Sequence, residues 1–256
     1  MDLILALAAI LGGIAAIWAF GERVINYFDK RNSDSSSAPN FSPIQIIQGT
    51  DDEKDLVQLL ELDKSVYGEG NLVPLALIRE IHKRNPKVCI IAKDVIHQEV
   101  IGYIGAVPLL KKEIFENTLN PSFSEFVTEP KWIQTYDMPG LYYLHLVSVV
   151  VSPEYQKMTP IYRMLYNGFI KLLVDLARND IYFLEVSARA VTQEGEKICT
   201  TLNMKHVADV GEIKIFHASM FPPQLRIITN QGSQLIELYQ KKFNSLIKLG
   251  VLKSNE

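Results

Sequence analysis

The segment 149–162 contains a pattern of residues that can bind an anionic group. A β-prone run ends at Val151, Ser152-Pro153 breaks it, and an amphipathic helix begins near Pro160. Thr159 is a suitable N-cap, and proline is favoured in the first helical turn. The first N–H groups of a helix lack partners within it, and the helix dipole places partial positive charge beside them. A strand that leads through a turn into a helix start is therefore a ready anion site.

The same segment resembles the acyl-CoA pyrophosphate site of the GNAT superfamily of N-acyltransferases. In that family a strand reading V-x-V-x-P is followed by Q/R-x-x-G-x-G/A at a helix start. Here residues 149–153 supply the strand end, Gln156 stands at the Q/R position, and Thr159 and Ile161 stand where the family has glycines. The loop is therefore a divergent version of the family's loop, with Lys157 adding positive charge.

The resemblance implies that acetyl-CoA or another acyl-CoA is the co-substrate. It places the acyl and pantetheine groups at the strand end and the pyrophosphate at the loop and helix start. The implied binding residues are Val149, Val151, Gln156, Lys157, Met158, Thr159, Pro160, Ile161 and Tyr162.

The second half of the chain extends the resemblance to roughly residues 44–219. After a predicted strand at 181–186, the family has an asparagine loop, a short helix with a tyrosine, and Leu-Gly-Phe at the start of a strand. Thr192 stands at the asparagine, Cys199 at the tyrosine, and residues 202–204 at Leu-Gly-Phe. The spacing matches the family, whereas the residue types differ.

Two residues are candidates for proton transfer. His145 lies on the same predicted strand, where some arylalkylamine-type members carry a histidine, and its ordinary pKa near 6.5 suits a general base. Strict alternation would place it on one sheet face with Val147, Val149 and Val151. Cys199, at the family's tyrosine position, is the candidate acid for the departing thiolate. The alternatives are a hydrogen-bonded histidine within the sheet and a small core cysteine.

Other side chains are weaker candidates for the same chemistry. They are Tyr162 and Tyr166 as hydroxyl donors, and Glu185 and Ser187 as polar contacts at the next strand end.

Composition excludes several other classes of function. A net charge of −3 provides no basic surface for nucleic acid. The two cysteines are far apart, which predicts neither a disulfide framework nor a CxxC metal or redox motif. The five histidines form no paired-ligand motif, so we expect no metal site.

The N-terminus carries an apolar run without charge from Leu3 to Phe20, which predicts a single transmembrane helix. Arg23, Lys30 and Arg31 follow the run, so the positive-inside rule places the main domain in the cytoplasm. The alternative is a buried core helix. Small residues every fourth position, Ala8, Gly12 and Ala16, favour self-association of this helix into a homo-oligomer.

The pattern along the chain predicts four parts. Residues 1–31 form the membrane anchor and residues 32–42 a flexible Ser/Pro-rich linker. Residues 43–219 form the GNAT-like acyltransferase domain, and residues 220–256 an extension with an amphipathic helix, which packs on the domain or against another copy. The expected fold class is α+β, with a mixed, mostly antiparallel GNAT-like sheet flanked by helices and preceded by the transmembrane helix.

A long segment between Leu110 and Gly140 separates two predicted strands. It is rich in proline and aromatic residues, so we expect it to pack rather than to remain a bare loop. It could cover the acceptor side of the site, or be a surface element without a role.

These features lead to two hypotheses of different classes. In the first, a membrane-anchored N-acyltransferase moves an acyl group from acyl-CoA to an unidentified amine, including a lipid-linked one. In the second, an inactive domain of the same fold binds acyl-CoA as a sensor or serves as an interaction module.

Overall fold

The computed structural model describes residues 43–68, 72–122, 129–156, 160–221, 224–227 and 229–251. The predicted anchor (residues 1–31) and linker (residues 32–42) lie outside these ranges. Within the described ranges, no helix combines the length and the apolar character needed to cross a bilayer.

In the described part of the chain, seven strands form one sheet in the order β1-β2-β3-β4-β5-β7-β6. Only β4 and β5 pair in parallel, whereas the other neighbours are antiparallel. This confirms the predicted mixed, mostly antiparallel sheet of an α+β fold. The strands are β1 (Ile44–Gln48), β2 (Cys89–Asp94), β3 (Glu99–Leu109), β4 (Gly140–Val151), β5 (Ile181–Ala190), β6 (Lys205–Val210) and β7 (Ile213–Ser219).

The described residues also form six α-helices, which cover both faces of the sheet. On one face α4 packs against the sheet and α6 packs against α4, whereas α1, α2 and α3 lie on the other face. The helices are α1 (Glu53–Tyr67), α2 (Leu75–Arg84), α3 (Lys112–Leu119), α4 (Pro160–Arg178), α5 (Gln193–Thr201) and α6 (Asn230–Lys248).

The described parts of the long segment after β3, residues 110–122 and 129–139, pack as predicted and include α3. Phe115 of α3 is fully buried and stacks on Tyr143 of β4, with ring centroids 4.9 Å apart. β4 starts at Gly140, earlier than the β-prone run from Leu144 indicates, because residues 140–142 already pair with β5. The segment therefore supplies a helix that covers the sheet next to β4.

The C-terminal extension packs on the domain through α6, one of the two arrangements that its apolar face predicts. Leu235 and Tyr239 are buried in the main core, each about 1% exposed. The Tyr239 hydroxyl accepts a hydrogen bond of 3.0 Å from the backbone N–H of Phe183 in β5. A buried N–H without a partner is costly, so this contact ties α6 to the strand that follows α4.

Candidate functional site

The two parallel strands at the centre of the sheet separate, and a cleft opens between them. The β4–β5 pairing ends at Leu146 and Ala188, although β4 continues to Val151 and β5 to Ala190. The cleft is lined by Tyr67, Leu146, Val147, Ser148, Val149, Ala188, Arg189, Ala190, Val191, Thr192, Gly195, Ile198, Cys199 and Leu202.

A β-bulge in β4 sets which side chains face the cleft and which face α3. Gly105 of β3 pairs with Ser148 and Ala106 pairs with Leu146, so Val147 is an extra residue without a partner. An extra residue reverses the alternation of side chains beyond it. The expectation that His145 shares a sheet face with Val149 is therefore wrong.

The bulge also determines which face the side chains at the end of β4 occupy. Val151 lies in the core on the side of α4, and the half-buried Val149 packs against that core. His145 instead shares its face with Val147 and Val150, which pack toward the helices of the other face. The alternation of side chains along a strand could not predict this change of face, because nothing in the sequence marks the bulge.

Beyond the cleft, β4 leads through a turn toward the N-terminus of α4, as predicted. The N–H of Ser152 donates to the Ile101 carbonyl at 2.9 Å, so β4 stays attached to β3 up to its end. The exposed Gln156 donates its side-chain amide to the Val151 carbonyl at 3.0 Å. Residues 157–159, which include Lys157, Met158 and Thr159, lie outside the described residues.

The start of α4 presents few side chains to a ligand and carries no acidic residue. Ile161 is 1% exposed and belongs to the main core, so only its backbone can face an anion. Tyr162 is half-buried; burial raises the pKa of its hydroxyl, and the charge of Glu194 at the start of α5 raises it further. Pro160 begins the helix and has no N–H to donate. An anion here would therefore bind mainly to backbone groups.

Cys199 lies on α5 and lines the cleft, so the structure brings it next to the last part of β4. Its side chain is also part of the main core and is buried. Burial raises the pKa of its thiol to about 11, which keeps the thiol protonated at neutral pH. A thiol that holds its proton so firmly is a weaker acid than an ordinary cysteine.

His145 lies within the paired part of β4, 2% exposed, and is not among the cleft-lining residues. Its Nδ1 is 2.9 Å from the hydroxyl oxygen of Ser187 on β5. The Ser187 hydroxyl is 2.7 Å from that of Thr118 on α3, and Thr118 donates to the Phe115 carbonyl at 2.6 Å. These residues form one buried hydrogen-bonded chain beneath α3.

The direction of this chain fixes the tautomer of His145. A carbonyl oxygen can only accept, so the Thr118 hydrogen is used for Phe115 and Thr118 accepts from Ser187. Ser187 has then used its own hydrogen and accepts from the Nδ1–H of His145. In the neutral ring the lone pair is consequently on Nε2, the nitrogen that would act as a base.

We expect NMR of the ¹⁵N-labelled full chain to show the neutral His145 ring protonated at Nδ1. Replacing Thr118 by valine frees the Ser187 hydroxyl to turn, so the ring should become a mixture of both tautomers. Thr118→Ser restores a hydroxyl at that place and should restore the wild-type spectrum. A His145→Gln variant assigns the signals, and a wild-type ring protonated at Nε2 would refute this arrangement.

Three polar residues near the cleft were missed by sequence reasoning. They are Asp63 on α1, Tyr103 on β3 and Ser148 on β4. Ser148 is the single polar residue in the apolar run 146–151, a signal that could have marked it. Asp63 stands in register with the apolar residues of its helix, where a carboxylate is unusual.

By sequence, no family model and no curated protein matches this chain. Solved structures are similar to it at low identity. The loading GNATL domain of CurA from Lyngbya majuscula is 14% identical, with 60% of this chain and 68% of that chain covered and a TM-score of 0.44. Ard1 from Thermoplasma volcanium is 12% identical, covering 69% and 97% with a TM-score of 0.45.

Naa50 from Arabidopsis thaliana, solved in complex with the bisubstrate analogue CoA-Ac-MVNAL, is 11% identical. The match covers 69% of this chain and 98% of that chain, with a TM-score of 0.45. A protein of the GNAT family from Desulfovibrio desulfuricans is 11% identical, with 69% of this chain and 99% of that chain covered and a TM-score of 0.41.

Proposed function

We propose that this chain is an N-acyltransferase that transfers an acetyl or other acyl group from acyl-CoA to an amine. The transfer is direct: the amine nitrogen attacks the thioester carbonyl, the C–S bond breaks, and free CoA leaves. No covalent intermediate with the protein is required.

The observation that carries this proposal is the separation of β4 from β5 after Leu146. On one side β4 remains paired with β3, so the backbone groups that point away from β3 between residues 147 and 151 border the cleft. Such groups can bind the amide-rich pantetheine chain and orient the thioester carbonyl. The turn after β4 and the N-terminus of α4 then stand where the phosphates would bind.

The roles of His145 and Cys199 as base and acid remain proposals. Two observations favour His145. Ser187 fixes its lone pair on Nε2, and it lies one residue before Leu146, the first residue of β4 in the cleft lining. In favour of Cys199 is its position in the lining on α5. Cys199 therefore lies in the cleft lining, and His145 lies next to this lining on β4.

We further propose that residues 1–31 anchor the chain in a membrane with residues 43–256 on the cytoplasmic side. The support is the uncharged run from Leu3 to Phe20 and the basic residues that follow it. Acyl-CoA is available on that side, so the proposed topology agrees with the proposed co-substrate.

A second candidate function, acyl-CoA binding without catalysis, is favoured by two observations. Thr159 and Ile161 stand where the family's glycines let the backbone approach phosphate closely. The raised pKa of Cys199 also makes it a poor proton donor to a thiolate. A sensor of acyl-CoA would tolerate both changes, because it needs affinity but no proton transfer.

Titration calorimetry of the full chain with acetyl-CoA tests both functions. We expect binding, followed by release of free CoA thiol when a primary amine is added. Phenethylamine and the peptide Met-Val-Asn-Ala-Leu serve as amines of different basicity. Binding without thiol release would indicate the sensor, and the absence of binding would overturn both functions.

A further inference from the structure

A second polar chain lies beside β4, near the part that borders the cleft. The Tyr103 hydroxyl of β3 donates to the carboxylate of Asp63 on α1 at 2.5 Å. The Ser148 hydroxyl of β4 faces the Tyr103 oxygen and lowers the pKa of that phenol, as a hydrogen-bond donor does. Ser148 itself lines the cleft. The three groups therefore connect the cleft to a carboxylate beneath α1.

The sheet leaves room for this arrangement at Gly105. A Cβ at this glycine would lie 3.3 Å from Cε2 of Tyr103 and 3.8 Å from Cβ of Val147. The Tyr103 ring therefore lies across Gly105 toward the bulge and Ser148. Tyr103 uses its one hydroxyl hydrogen for the Asp63 carboxylate, so its oxygen can only accept from Ser148.

Asp63 has the properties of a proton acceptor. Among the described residues it forms no ion pair with lysine or arginine, and its carboxylate accepts a hydrogen bond from Tyr103. Burial raises the pKa of Asp63 by more than the hydrogen bond from Tyr103 lowers it, and the resulting pKa is about 6. The titratable groups acting on this pair are Tyr103 itself and Tyr67 of α1, which borders the cleft one turn further along the helix.

We propose that, in the acyl transfer proposed above, Asp63 accepts the proton of the acceptor ammonium through the hydroxyls of Ser148 and Tyr103. The ammonium gives a proton to Ser148 as Ser148 passes its own to Tyr103 and Tyr103 passes its own to Asp63. The freed amine attacks the thioester carbonyl, the C–S bond breaks, and the departing thiolate takes a second proton from the same nitrogen, so this step needs no proton from Cys199. Asp63 later releases its proton to solvent.

The contrast with the His145 chain explains why we assign this role to Asp63. The chain from His145 through Ser187 and Thr118 ends at the Phe115 carbonyl, which cannot take up a proton. It can orient the imidazole, but a proton taken up at Nε2 would stay on the ring, so in this proposal Asp63 replaces His145 as the base. The chain from Ser148 starts in the cleft lining and ends at an ionisable carboxylate, so it can carry a proton from the cleft to Asp63.

The test compares Asp63→Asn with the wild-type full chain, using acetyl-CoA with phenethylamine or Met-Val-Asn-Ala-Leu. Asparagine keeps an oxygen that accepts from Tyr103 but cannot take the proton. We expect kcat to fall about 100-fold at pH 7, the usual size of a general-base effect. Tyr103→Phe interrupts the relay and should show the same loss. Glu61→Gln removes an exposed carboxylate from the same helix and should leave kcat unchanged.

The pH profile separates proton acceptance from a structural role. Wild-type turnover should fall as the pH drops through about 6, where Asp63 becomes protonated. The loss in Asp63→Asn should shrink at high pH, because the amine is then already neutral. At pH 7 the loss should be larger for phenethylamine, a strongly basic amine, than for the peptide amine of pKa about 8.

The melting temperature also separates the two roles, because loss of a structural contact at Asp63 would lower it. A carboxyl group whose pKa is raised on folding contributes stability below its unfolded value of 3.8 and loses it as the pH rises through about 6. Asparagine has no charge to desolvate, so Asp63→Asn should melt at pH 7 no lower than the wild type.

The outcomes distinguish this inference from the proposed function on which it rests. If the wild type fails to bind acetyl-CoA or to release thiol, the proposed transferase function fails and the relay with it. If the wild type turns over and Asp63→Asn or Tyr103→Phe retains full kcat at pH 7 with phenethylamine, only the relay is refuted. A reduced kcat together with a lowered melting temperature would also refute it.

Discussion

Replacement of Val149 by tryptophan is expected to weaken acetyl-CoA binding by at least about 100-fold, or about 2.8 kcal/mol. Val149 is half-buried and lines the cleft where β4 has left β5. An indole there would occupy the space between the strands that the pantetheine chain must enter. Titration calorimetry of the full chain with acetyl-CoA measures the loss.

The matched control is Val207→Trp. Val207 is 50% exposed on the edge strand β6 and is not part of the cleft lining. This variant should bind acetyl-CoA as the wild type does, and both variants should melt close to it. Unchanged binding by Val149→Trp would mean that the cleft between β4 and β5 is not the acyl-CoA site.

Gly168→Ala is expected to destabilise the domain by about 2 kcal/mol. Gly168 lies on the side of α4 that faces the sheet, where an added Cβ would come within 2.6 Å of Cγ2 of Ile46 and 3.0 Å of Cγ2 of Ile90. Overpacking of this kind costs about 1–3 kcal/mol, and the better helix propensity of alanine offsets part of it. Denaturant unfolding measures the difference.

Two further variants make this prediction specific. Gly195→Ala on α5 would meet atoms no closer than 3.4 Å, so it should be neutral or stabilising by up to about 1 kcal/mol. In an Ile46→Ala background the clash with Cγ2 is removed, and Gly168→Ala should cost less than in the wild type. An equal cost in both backgrounds would show that Ile46 does not limit the approach of α4.

Much of the fold follows from local patterns in the sequence. The apolar period places α4 and α6, and the β-prone run that stops at Ser152-Pro153 places the end of β4 and the turn after it. Such patterns depend on neighbours within a few residues, so they can be read without a partner. The cysteine that lines the cleft was found for the same reason: its distance along the chain from the strand end matches the family spacing.

The geometry of the site depends on contacts between distant residues. The bulge at Val147 arises from the register of β3 against β4, and it turns His145 away from Val149. Tyr103 and Asp63 are 40 residues apart, and Thr118 and Ser187 are 69 apart. No local period links such positions, because they meet only when the strands pair and the helices pack on them.

The sequence by itself determined the order of the elements, the strand–turn–helix that suits an anion, and the candidate residues on it. Only the tertiary structure decided which hydroxyls donate to which acceptors, and hence that one hydrogen-bonded chain ends at a carbonyl and the other at a carboxylate. The physical reason is that hydrogen-bond direction and desolvation belong to the packed environment of a side chain, whereas the propensity for helix or strand belongs to the chain itself.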